Sequence, residues 1–172
     1  DEPMSIVRCA VVHCPAWPLV AAVVHGRRGH GPVLHPDEAL VVLRSQRVLH
    51  CSARAWQDGV RIGQRRRQAQ GACPHVIIVP DDCERDMRWF EPVARSIGEL
   101  VPLVDLETPG SVLLATRGPS RYVGGDAALA TRLDELARAG VERICGDTSA
   151  TDIVRVGGGF GVGIADGRLA AM

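Results

Sequence analysis

A chain of 172 residues, 46% hydrophobic and 23% charged, is long enough to bury one core and too apolar to be disordered. Its 20 basic residues cancel its 20 acidic ones, so no net field points to a polyanion or a membrane surface. Every basic residue is Arg, which excludes a lysine Schiff base, a P-loop lysine and a Ser-Lys dyad. Aromatics at 3% exclude a stacking platform for single-stranded nucleic acid.

The β-branched run Ile6–Val12 predicts a buried strand that leads into a turn at Pro15 and Pro18. The apolar stretch Trp17–Val24 is too short to span a membrane, and residues 26–37 read as a Gly/Pro-rich loop. Ala39–Leu43 and Arg47–Cys51 form a hairpin around Ser45-Gln46. Ser52 caps a short helix that stops at Gly59, and Gly63–Ala72 makes a second one. His75–Val79 is a core strand; Asp82 or Glu84 then opens a helix through Leu100, which Pro92 must bend or restart.

Leu103–Leu106 and Ser111–Thr116 read as strands around the turn Glu107-Thr108-Pro109-Gly110. Leu129, Leu133 and Leu136 at helical spacing predict a helix over Asp126–Ala139, capped by Gly140. Ile153–Val156 and Phe160–Ile164 read as strands joined by glycines 157–159. Strands alternating with helices give an α/β or α+β fold.

Six irregularly spaced Cys and an acidic start without a secretory leader indicate a cytoplasmic protein with reduced thiols; residues 1–4 read as a tag or disordered start. Cys9, His13 and Cys14 cluster in sequence, but structural zinc needs four ligands and no second pair follows; buried thiols and a strand-end His are the better reading, and no metal ligand is assigned. No Gly-x-Ser-x-Gly elbow is present, which leaves Cys14 or Cys51 with a His as the thiol-enzyme alternative. The glycines of 157–163 fit neither dinucleotide nor Walker spacing and read as a hairpin connection. Residues 52–67 carry five Arg (54, 61, 65, 66, 67) against Asp58 alone, whereas 81–107 carry eight acids against three Arg. Arg65, Arg66 and Arg67 make either a solvated helix face or a phosphate-contacting patch.

Residues 52–80 resemble the fingers segment of Y-family translesion DNA polymerases. A short helix ends in Gly59-Val60-Arg61, Gly63 opens a second helix, and Cys73-Pro74 leads back to Pro80. Strand 6–13 is similar to that family's first palm strand, helix 82–100 to its first palm helix, and Val162-Gly163-Ile164-Ala165 to a palm strand. The resemblance covers most of residues 5–172. It implies an α+β fold: a palm sheet with helices on one face from 5–25 and 77–172, a fingers subdomain over 26–76, and no thumb or little finger.

Active members hold two Mg²⁺ ions with a carboxylate triad. By the resemblance, His13 replaces the first metal-binding Asp, Pro15 removes the neighbouring carboxylate and Pro18 stands at the steric-gate aromatic. Pro109 and Gly110 replace the second Asp and Glu, and Ala53 and Trp56 align with the triphosphate-gripping Tyr and Arg. That pattern implies no polymerase activity and no cofactor; an active translesion polymerase is the rival within the family. Cys14-Pro15-Ala16-Trp17-Pro18 and Arg117-Gly118-Pro119-Ser120-Arg121-Tyr122-Val123-Gly124-Gly125 are similar to the catalytically inactive ImuB-like subfamily. This similarity implies a scaffold in SOS-induced error-prone synthesis that gathers a sliding clamp, a DnaE-type polymerase and a RecA-like accessory protein, mostly through regions outside this chain. Arg61, Arg65, Arg66 and Arg67 are then the candidates for weak DNA contact.

Overall fold

The computed structural model describes residues 8–101, 105–145 and 150–166. Strands β1 (Arg8–His13), β5 (Asp105–Thr108), β6 (Ser111–Ala115) and β7 (Gly161–Asp166) form one antiparallel sheet in the order β5-β6-β1-β7. Alternation sends Ala10, Val12, Val112 and Leu114 to its covered face. There they pack against helices α1 (Trp17–Arg27), α4 (Cys83–Gly98), α6 (Asp126–Cys145) and α7 (Ala150–Val156). The expected α+β sheet with helices on one face is present.

A second sheet, β3-β2-β4, joins β2 (Leu40–Arg44), β3 (Arg47–Cys51) and β4 (Ile77–Pro80), with β4 parallel to β2. Two short helices lie beside it, α2 (Ala53–Gln57) and α3 (Arg66–Ala72). Leu40 and Val42 face the main core, whereas Val41 joins a separate cluster of Ala39, Val48, Ala55, Val60, Ala69 and Cys73. β4, grouped by sequence with the palm-like part, is thus hydrogen-bonded into the sheet of the fingers-like part. The 39–51 hairpin forms as expected, and its turn residues Ser45 and Gln46 both have positive φ.

Several elements differ from the sequence reading. The strand expected to end in a turn at Pro15 and Pro18 instead feeds α1, because Pro in a helix's first turn removes no needed N–H. Residues 17, 19–24 and 26 are all buried, so the helix shows no polar stripe to betray its period. The expected 26–37 loop accordingly begins after Arg27. Pro92 lies within α4 without dividing it. Gly140 does not cap α6, which continues to Cys145; a Cβ there would stand 2.6 Å from the Val93 Cα, so the glycine lets α6 press onto α4.

Ile153–Val156, expected as a strand, is helix α7: its apolar side chains face α1 and α6, and tertiary packing overrides β-propensity. The glycines after it therefore join a helix to β7 and make no hairpin. A short helix α5 (Arg117–Val123) follows β6 and ends at Gly124. The helix expected from Gly63 starts at Arg66 as α3. Of the strand expected over 103–106, residues 103 and 104 lie outside the described residues, and β5 extends to Thr108. Among the described residues no helix is long and apolar enough to cross a membrane.

An ion pair is buried where α4 begins. Arg85 donates Nε to Asp86 Oδ1 at 2.8 Å, with Nη2 2.7 Å from the same oxygen, and Nη1 to the Pro80 carbonyl at 3.1 Å. Burial raises the Asp86 carboxyl to about 6, with the Arg85 charge pulling the other way. An unfolded Asp titrates near about 3.9. Between those values the folded chain keeps a proton that the unfolded chain has released. This group's stabilisation is therefore complete below about 4 and lost as pH rises through about 6. The urea midpoint of the native chain should fall relative to Asp86→Asn across that window, and a constant gap would refute it.

Candidate functional site

The last residue of β1, His13, lies opposite Ser111 of β6 on one side and Gly161 of β7 on the other. Beyond it the Cys14 amide donates to the Gly110 carbonyl at 2.8 Å, and the Ala16 amide to the Gly157 carbonyl at 3.0 Å. These bonds bend the chain straight into α1. Gly110 has φ +92, and a Cβ there would stand 2.5 Å from the Trp17 Cβ and 3.0 Å from the Cys14 carbonyl oxygen. Only glycine fits this turn. Trp17 is wholly buried, meets Phe90 edge-on at 5.0 Å, and donates its indole N–H to the Asp86 carbonyl at 2.9 Å.

Two hollows of about 340 and 450 Å³ meet at Pro15 and Gly158. The first lies over Val11, His13 and Val162; the second is bounded by His50, Ala53, Trp56, Ile62 and Arg155. Among the described side chains no Asp or Glu lines either hollow. Arg155 is paired with Asp152 at 3.2 Å, and burial, then Arg44, lowers the His50 imidazole. The Ser111 hydroxyl is buried without a hydrogen-bond partner among the described residues. Among the described side chains, the first hollow, lined by His13, Pro15, Phe160, Val162 and glycines, offers no carboxylate to the oxygen shell that Mg²⁺ requires.

Pro18 sits half-buried in the first turn of α1, and Pro109 with Gly110 forms the β5–β6 turn. Ser111, which the sequence reading left out of the degenerate positions, is the residue opposite His13; the strand register was the missing information. Cys9, His13 and Cys14 do not converge: His13 is exposed, whereas Cys14 is buried with its thiol toward the Gly157 carbonyl at 3.7 Å. Burial pushes the Cys14 thiol up to about 12 and raises Cys51 as well. Neither is poised as a thiolate.

The Arg residues of 61–67 separate into two settings. Arg61 folds over Trp56, 4.1 Å from the ring centroid, and donates to the Trp56 and Val60 carbonyls. Arg65, Arg66 and Arg67 instead surround an exposed groove with Ser45, Gln46, Arg47 and Gln70. The Arg66 amide donates to the Gln46 carbonyl at 3.0 Å and the Gln68 side chain accepts from the Arg65 amide at 2.8 Å, locking α3 to the hairpin turn. None of these three guanidinium groups pairs with a carboxylate among the described residues, unlike Arg54 with Asp58. Arg47 is an addition to the sequence-based patch, brought there by its bridge to Arg65.

The family model for the impB/mucB/samB family matches residues 20–143. Among solved structures, a Dbh ternary complex superposes with a TM-score of 0.62 at 18% identity, covering 95% of this chain and 43% of its own. DinB from Sulfolobus solfataricus gives 0.60 at 17%, covering 95% and 43%, and a Y-family DNA polymerase chimera of Dbh and Dpo4 gives 0.62 at 16%, covering 95% and 44%. At such identities the likeness establishes the fold. The chain spans less than half the length of these structures. No curated protein sequence matches.

The burial of Cys14 has a direct readout. At neutral pH a thiol reagent should label exposed Cys83 in the native chain and reach Cys14 only on unfolding, as peptide mapping would show. Rapid native labelling of Cys14 would contradict the burial argument and revive the thiol-enzyme reading.

Proposed function

The chain belongs to the impB/mucB/samB family, and from that premise we propose that it is a non-catalytic, ImuB-like member acting as a scaffold in SOS-induced error-prone translesion synthesis. One observation carries this reading: the cleft at the end of β1 is lined by His13, Pro15 and glycines, with no carboxylate among the described side chains. By resemblance, His13 stands where a polymerase places its first metal-binding Asp. Pro109 and Gly110 stand at the second acidic site, next to Ser111 opposite His13, and Ala53, Trp56 and Pro18 at the nucleotide contacts. The Mg²⁺ pair of a working polymerase does not fit these residues, so no phosphoryl-transfer step is assigned to them.

The role is then one of assembly in the cytoplasm. The chain would help bring a sliding clamp, a DnaE-type error-prone polymerase and a RecA-like accessory protein to damaged DNA. Arg65, Arg66 and Arg67, joined by Arg47, supply cations that no carboxylate neutralises among the described residues, and they support weak phosphate contact. Arg61, held on Trp56, contributes less.

Two measurements test the proposal. Purified protein given primer-template, deoxynucleotides and Mg²⁺ should extend no primer; template-dependent extension would overturn the non-catalytic reading. Changing Arg65, Arg66 and Arg67 together to Ala should weaken duplex binding and flatten its log–log salt slope by roughly 2–3. An unchanged slope would remove the DNA role from this groove.

A further inference from the structure

Three side chains of metal-ligating type that line neither hollow converge beside the smaller hydrophobic cluster. Asp58 follows the last turn of α2, Cys73 follows the last turn of α3, and His75 lies in the turn before β4. His75 Nε2 is 3.2 Å from Asp58 Oδ2, Cys73 Sγ is 3.6 Å from the same oxygen, and Cys73 Sγ is 3.5 Å from His75 Nε2. These are the separations that a tetrahedral zinc ion imposes. Bonds of about 2.3 Å to sulfur and about 2.0–2.1 Å to nitrogen and oxygen, at about 109°, put S and N about 3.6 Å apart. The same geometry puts S and O about 3.5 Å apart and N and O about 3.3 Å apart.

We propose that Asp58, Cys73 and His75 form a three-ligand site for a zinc-type divalent metal, with the fourth position open to water. Thiolate and imidazole donors suit such an ion and not Mg²⁺ or Ca²⁺. The buried Cys73 sulfur forms the floor of the site, while the Asp58 and His75 side chains, 23% and 62% exposed, give the ion a route from solvent. On binding, the thiol proton passes to the buffer and a sulfur–metal bond replaces the S–H. Asp58 Oδ2 keeps a second lone pair for the Arg54 Nε–H at 3.1 Å, which orients the carboxylate as outer partners of metal ligands do.

The site ties three segments around the smaller hydrophobic cluster, whose seven buried members are only Ala, Val and Cys. A core of such small side chains gains from a metal cross-link. Sequence spacing did not reveal the site, because position 58 is brought to the Cys73-Pro74-His75 turn only by the small core that Ala55 of α2 and Ala69 of α3 share. The inference does not rest on the scaffold reading, and its test uses neither DNA nor partner proteins.

Co²⁺ serves as the probe, titrated into chelator-treated native chain. One equivalent should produce thiolate-to-metal charge-transfer absorption and the strong visible bands of a four-coordinate ion, both displaced by Zn²⁺. Cys73→Ser should abolish the charge-transfer band, and His75→Ala and Asp58→Asn should each weaken binding at least roughly tenfold. Cys83→Ser, at an exposed thiol elsewhere, should leave the spectrum unchanged. Since replacing buried Cys73 threatens folding, the exposed His75 decides: unaltered affinity in a His75→Ala chain with native circular dichroism overturns the proposal. A silent titration of folded native chain, or charge-transfer absorption surviving Cys73→Ser, overturns it equally.

Discussion

The burial of one indole at the start of α1 governs what the end of β1 can be. Trp17 brings a large apolar ring and a single N–H donor into a dry interior, and that donor must find a partner. It finds the Asp86 carbonyl at the start of α4, while the ring lies edge-on to Phe90 and tilted toward Phe160. Everything nearby yields to the ring: the β5–β6 turn closes over it on a glycine, and the Cys14 and Ala16 amides are taken by the Gly110 and Gly157 carbonyls. The same few contacts set the sheet, the first helix and the composition of the cleft.

That corner is also the electrostatic hub of the described molecule. Arg85 reaches from α4 to the Pro80 carbonyl at the end of β4, so the buried Arg85–Asp86 pair links the second sheet to the main helices. A buried pair of this kind is weak evidence for net stability, but each partner alone would leave an uncompensated charge in the core. Its use here is geometric. The smaller cluster depends instead on a hydroxyl: Ser52 Oγ accepts from the Leu40 and Ala55 amides and donates to the Glu38 carbonyl, fastening α2 to β2. Polar bonds do for this region what bulky side chains do for the other.

The fold class and most strands were legible because alternation and turn residues speak locally, as with Ser45-Gln46 between two β-branched runs. Helix α1 was illegible because burial on all sides erases the polar stripe, and Pro18 then reads as a breaker. Helix α7 was hidden by β-branched residues whose helical state is set by α1 and α6. Gly140 mimics a cap, and only the approach of α4 explains it. Of the candidate site, sequence resemblance singled out His13, Pro109 and Gly110, and these residues do meet at the end of β1 and the β5–β6 turn. The partnership of Ser111 with His13 and the meeting of Asp58 with Cys73 and His75 needed three dimensions, because they join distant positions. The division of Arg61 from Arg65–Arg67 turns instead on a side-chain rotamer, Arg61 folding onto Trp56 five residues before it.

The fit between Gly110 and Trp17 also acts as a ratchet on what this corner of the fold can become. An aspartate at position 110 would meet the tryptophan's own Cβ and a left-handed backbone at the same time. Neither obstacle is relieved by changing His13. Placing an acid there requires the indole, its Phe90 neighbour and the turn to be remodelled together, and each intermediate would open a void or a clash in the main core. Single substitutions therefore leave this corner of the molecule where it is.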